Sequence, residues 1–135
     1  MSAAVEEGVN IKVAIRARPL NEQEKARSAN QIITCDNERK QVRLQYGAGK
    51  KEVSKSFQFD KVFNQYSTQS EVFNMMVAPV VEECMQGFNC TVFAYGQTGT
   101  GKTHTMEGRI EDAEERGIIP RSVHHIFEHL EKQKV

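Results

Sequence analysis

The chain has 135 residues, 39% hydrophobic and 27% charged, the profile of one globular domain and too short for two ordinary ones. Eighteen basic residues balance 18 acidic ones, and no block of like charge is long enough for a nucleic-acid tail, so a polyanion-coating protein is excluded. No apolar run approaches the roughly 18 residues of a membrane span, and Met1 to Gly8 lacks the basic start and apolar stretch of a secretory signal.

Charge is uneven along the chain: residues 1–55 hold 11 basic and 7 acidic side chains, and residues 56–135 hold 7 and 11. Solvated surface accounts for this. The three cysteines, Cys35, Cys84 and Cys90, are odd in number and form no C-x-x-C, which points to a reducing, intracellular compartment rather than a disulfide framework.

Residues 1–9 are small and acidic and read as a flexible tail, with residues 10–135 as the folded part. Asn10 to Arg18 alternates apolar and polar and predicts a strand, ended by Pro19. Asn21 to Ala29 predicts at most a short helical turn. Ile32–Cys35, Val42–Tyr46 and Val53–Phe57 predict short strands separated by Asp36-Asn37 and Gly47-Ala48-Gly49, a small antiparallel β lobe. Alternation from Phe57 to Phe63 predicts a prolongation of the last of these strands.

Ser67 or Thr68 can N-cap a helix, with Glu71 completing a capping box. Apolar residues from Val72 to Cys84 recur at helical spacing, Pro79 should kink that helix, and Gly87 should stop it. Cys90 to Tyr95 is apolar and β-rich, suited to a strand buried on both faces. A glycine loop follows, then a helix from about Lys102 to Gly108 and a charged loop from Arg109 to Arg116. Pro120 suits the first turn of a last helix with Val123, Ile126, Phe127 and Leu130 on one face.

The chemistry is carried by Gly96-Gln97-Thr98-Gly99-Thr100-Gly101-Lys102-Thr103, a full match to G-x-x-x-x-G-K-[ST]. Chance would give roughly 0.004 such matches in a chain of this composition. Glycines let successive N–H groups converge on phosphate oxygens. Lys102 should reach the β- and γ-phosphates and Thr103 should offer its hydroxyl to Mg²⁺. Asp36 is a weak candidate for a second Mg²⁺ ligand, since it is read more simply as a strand end leading into a turn with Asn37, and Asp60, with polar Gln58 and Lys61 beside it, is weaker still. His125 and His129 share a helix face but lack the further ligands of a zinc site.

Phe93 to Met106 resembles the nucleotide loop of kinesin motor domains. Arg16-Ala17-Arg18-Pro19, Phe59-Asp60-Lys61-Val62-Phe63, Gly87-Phe88-Asn89-Cys90-Thr91 and Gly117-Ile118-Ile119-Pro120-Arg121 also resemble kinesin elements in order and spacing. Asn10-Ile11-Lys12-Val13, Ile33-Thr34-Cys35-Asp36 and Asn89-Cys90-Thr91-Val92-Phe93 look most like the BimC-type bipolar spindle kinesins. The resemblance implies an α/β fold, the N-terminal part of a P-loop kinesin motor.

It further implies that Arg16, Arg18, Pro19 and His104 flank the adenine of ATP or ADP, while Gly96, Gln97, Thr98, Gly99, Thr100, Gly101, Lys102 and Thr103 hold the phosphates and Mg. Kinesins place their N-x-x-S-S-R-S-H and D-L-A-G-S-E switch segments downstream, and neither occurs in this sequence. The expectation is therefore the ATP-binding part of a microtubule motor acting in the cytoplasm on the spindle, with no catalytic residue of its own. It should need the rest of a motor domain or a companion chain, touch tubulin through parts not in this chain, and bind neither nucleic acid nor membrane. A small P-loop phosphotransferase and a non-catalytic interaction fragment are the alternatives.

Overall fold

A computed structural model describes residues 11–133. The acidic stretch 1–9 and the predicted strand's first residue, Asn10, lie outside the described residues. The chain forms two compact units, Met1–Gln65 and Tyr66–Val135.

The first unit contains two small sheets. β1 (Ala14–Arg16) pairs in parallel with β5 (Lys61–Phe63), so that Ile15 faces Val62 in register. Asp60 extends this pairing: its carboxylate accepts from the Val13 N–H at 2.7 Å, and its own N–H donates to the Val13 carbonyl at 2.9 Å. The strand is shorter than the predicted Asn10–Arg18, because its partner offers only three residues of ladder. Ile11 and Val13, beyond the ladder, are exposed.

The antiparallel lobe is a meander of β2 (Ile33–Asp36), β3 (Gln41–Tyr46) and β4 (Val53–Gln58). The predicted boundaries hold to within a residue. Pairing of Cys35 with Val42 and of Val42 with Phe57 puts these three side chains on one face, where Val42 is buried. The alternation from Phe57 to Phe63 does not prolong β4. Asp60 turns the chain instead, and β5 leaves the meander for β1. Between β1 and β2, α1 (Glu22–Ala26) is closed by a capping box in which Asn21 accepts from Glu24 N–H and Glu24 accepts from Asn21 N–H.

The second unit is helical. α2 (Gln69–Val72) starts from the predicted capping box: Thr68 Oγ1 accepts from Glu71 N–H, and the Glu71 carboxylate accepts from Thr68 N–H. The helix then widens into a π-turn over Phe73–Val77 and continues as α3 (Ala78–Met85). Pro79 sits just beyond this turn, at the start of α3. It has no N–H for the carbonyl four residues back, and its ring needs room there. The end is a Schellman turn, with Gly87 N–H donating to Cys84 O and Phe88 N–H to Glu83 O, at a Gly87 φ of +102°.

α4 (Lys102–Met106) and α5 (Ile118–Gln133) complete the unit. Val72, Phe73, Val77, Val81 and Ile118 are its buried apolar side chains. His125 Nε2–H on α5 donates to the Glu82 carboxylate on α3 at 2.7 Å, and its ring meets Phe73 edge-on at 5.9 Å.

One further expectation is corrected here. Cys90 to Tyr95 forms no strand, because among the described residues it has no ladder partner. The predicted apolar face of α5 is only partly covered: Val123, Phe127 and Leu130 are 49%, 61% and 46% exposed. Phe93 and Tyr95 are exposed as well. Apolar surface of this extent drives association. The isolated 135-residue chain is therefore expected to self-associate at micromolar concentration in sedimentation velocity. A soluble monomer with a sharp cooperative unfolding transition would overturn that expectation.

Candidate functional site

The phosphate-loop sequence forms a tight loop from Gly96 to Gly101 that opens directly into α4. Gly101 is the helix N-cap and sits at φ +99°, a left-handed conformation that a side chain would strain. Inside the loop, the Gln97 carbonyl accepts from Thr100 N–H at 3.3 Å and from Thr100 Oγ1 at 2.7 Å.

Lys102 closes the loop. Its ammonium reaches back over the turn to donate to the carbonyls of Gly96 at 2.6 Å and Gln97 at 2.8 Å. Two of its three N–H donors are engaged in this way. The positive charge is thereby fixed at the loop, next to the first N–H groups of α4. Thr103, the second residue of α4, is exposed, as are Gln97, Thr98, Gly99 and Thr100. A side-chain carbon at Gly99 or Gly101 would meet nothing within 4 Å, so open space lies beside the loop backbone.

These residues fit a phosphate and its metal. A fixed cation, a glycine-rich backbone with room against it and an accessible hydroxyl at the helix start form the donor set that Mg²⁺-nucleotide requires. Among the described residues no cluster of three or more His, Cys, Asp or Glu side chains could hold a metal by itself. His125 is bonded to Glu82, and His129 to Gln133 at 2.9 Å, so the histidine pair serves helix surfaces. Asp36 accepts from Arg39 N–H at 2.9 Å and belongs to its turn.

His104 lies on α4 with an exposed side chain. Arg16, Arg18 and Pro19 belong to the first unit, where Arg16 ends β1 and the other two follow it. Arg18 forms a fork to both Glu24 oxygens at 2.7 Å and also donates to the Pro19 carbonyl at 2.9 Å. This partner was missed in the sequence, although Asn21-x-x-Glu24 is a legible capping box. The fork fixes the plane of the guanidinium, which is the surface that packs on an aromatic base.

Burial pushes the Cys35 thiol up. Partial burial, with Cys84 and Glu83 nearby, does the same at Cys90. Neither is tuned as a nucleophile. Among the described residues no helix is long and apolar enough to cross a membrane.

The kinesin motor domain family profile matches residues 16–135. The chain belongs to that family. It is 45% identical over 130 residues to Kinesin-like protein KIN-5B of Arabidopsis thaliana, covering 93% of this chain and 12% of the relative. It is 45% identical over 133 residues to Kinesin-like protein KIN-5A of the same plant, covering 95% and 13%. It is 44% identical over 134 residues to Kinesin-like protein KIF11-B of Xenopus laevis, covering 93% and 13%. These relatives are kinesin-5, BimC-type proteins, and the chain spans about an eighth of their length.

The Arg18 fork, and after it the Asn21 N–H, pulls the Glu24 carboxyl down to about 2. Its folded value lies below the unfolded one. The pair's contribution is thus fully present above about 4.3 and is lost as pH falls through about 2. Carbon-detected NMR titration of Glu24 should give a midpoint close to 2, and Arg18→Ala should return it toward the ordinary value. A wild-type midpoint above about 4 would show that the fork does not form in solution.

Proposed function

We propose that this chain is the ATP-binding, N-terminal portion of a kinesin-5 type motor that moves along spindle microtubules in the cytoplasm. The observation that carries the reading is the Lys102 ammonium fixed over a Gly96–Gly101 loop that opens into α4, in a chain matching the kinesin motor domain from residue 16 onward.

In this reading the loop backbone and Lys102 bind the β- and γ-phosphates, and Thr103 holds Mg²⁺. Lys102 turns from the Gly96 and Gln97 carbonyls toward the anion without moving its backbone. Mg²⁺, when bound, neutralises developing charge on the phosphates. Arg16, Arg18, Pro19 and His104 grip the adenine by its face. No residue here is assigned to orient water or hold Mg²⁺ from a second side, and hydrolysis depends on the switch segments of the rest of the motor. That remainder, or a companion chain, is also the contact with tubulin.

Two measurements test the assignment. In the parent motor, Lys102→Ala should weaken Mg·ADP binding by about 1.5–3 kcal/mol, and Thr103→Ala should weaken Mg²⁺-nucleotide more than metal-free nucleotide. Unchanged binding in both variants would remove the phosphate-site reading. The second measurement is steady-state turnover. The parent should show ATPase activity stimulated by microtubules, and residues 1–135 alone should show none above background. Turnover by the isolated chain that Lys102→Ala abolishes would place a catalytic group within it.

A further inference from the structure

α4 has five residues, far below the roughly 12–15 at which a helix holds itself in water. Its last carbonyls need partners from outside the helix. Thr103 O receives the N–H groups of Glu107 at 2.8 Å and Gly108 at 3.2 Å, and Glu107 O receives Gly117 N–H at 2.9 Å. The His104 carbonyl is met by a side chain distant in sequence. Gln69, the first residue of α2, donates from Nε2 to His104 O at 2.7 Å. The same nitrogen donates to Glu115 O at 3.1 Å in the 109–116 loop.

Gln69 is 5% exposed and is the buried polar side chain among the described residues. Both its amide hydrogens are directed at backbone acceptors of two other segments, which stitches α2, the end of α4 and the loop into one corner. Gly108 makes the corner possible. At φ +65°, it brings the chain so close that an added side-chain carbon would lie 2.0 Å from Glu115 O and 2.9 Å from Gln69 Nε2.

We infer that Gln69 is a positioning residue for the nucleotide site: its amide fixes the end of α4 and with it the register of Lys102, Thr103 and His104. This rests on the phosphate-site reading above, and acts through α4 rather than by contact with nucleotide. Gln69→Met keeps the shape and removes both donors. Gln69→Glu places a carboxylate against two carbonyl oxygens.

The test is made in the full motor chain containing these residues, with Mg·ADP as probe. Gln69→Met should weaken binding about 5–30-fold and Gln69→Glu more, since the lost or opposed hydrogen bond to the His104 carbonyl, the one that holds α4, is worth about 1–2 kcal/mol. Amide hydrogen exchange without nucleotide should accelerate at residues 103–108 while α5 keeps its protection. Gln69→Asn, which retains the amide one methylene short, should lie between wild type and Met, and it serves if Met does not fold. Wild-type affinity with unchanged exchange would overturn the inference. So would exchange that rises equally throughout α5 with a lowered unfolding midpoint, which marks a general stability role. If Lys102→Ala leaves binding intact, the phosphate-site reading fails by itself, and the exchange pattern still decides whether Gln69 holds α4.

Discussion

A five-residue helix is held in place by what its ends can bond to, and α4 is such a helix. At its start the left-handed Gly101 supplies the cap, and the Lys102 ammonium clasps the preceding turn through two carbonyls. At its end Gly108 and Gly117 bring the returning chain against it, and the Gln69 amide meets the His104 carbonyl. A side-chain carbon at Gly117 would lie 2.6 Å from the Met106 backbone, so the return is as close as a backbone allows. Propensity contributes little to this element. Loss of any of these partners leaves an orphan donor or acceptor that helix geometry cannot satisfy.

Local devices were legible in the sequence because each is set by a few neighbouring residues. Thr68 with Glu71 gave the capping box, Gly87 the Schellman stop, and the Asp36-Asn37 and Gly47–Gly49 turns the meander of β2, β3 and β4. The phosphate loop was legible for the same reason. What depended on a distant partner was not. Alternation from Phe57 to Phe63 cannot show that Asp60 bonds Val13, which moves β5 to another sheet. Gln69 reads as an ordinary polar residue in a helix's first turn, and only the fold brings two carbonyls to it from 35 and 46 residues away. Pro79 announced a break in the helix but not its form. The π-turn that forms there carries Phe73 and Val77, both buried.

The phosphate loop has two ends with unequal support. On the α4 side every step is bonded: loop to Lys102, helix end to Gln69, returning chain to Gly108 and Gly117. On the other side it is entered by Cys90 to Tyr95, whose composition suits a strand buried on both faces. Among the described residues this run pairs with nothing, and Phe93 and Tyr95 are 79% and 95% exposed. An extended run gains its rigidity from ladder bonds on its edges, so a site entered through it is anchored from one side alone. In the proposed reading, the charge and the glycines of the phosphate loop are assembled by short-range contacts, whereas stiffness on the entry side would come from ladder partners that residues 90–95 lack among the described residues. Phosphoryl transfer draws nearly all its rate from positioning. Under the proposed reading the two capacities separate: binding rests on the loop and α4, and catalysis would rest as well on ladder partners for residues 90–95.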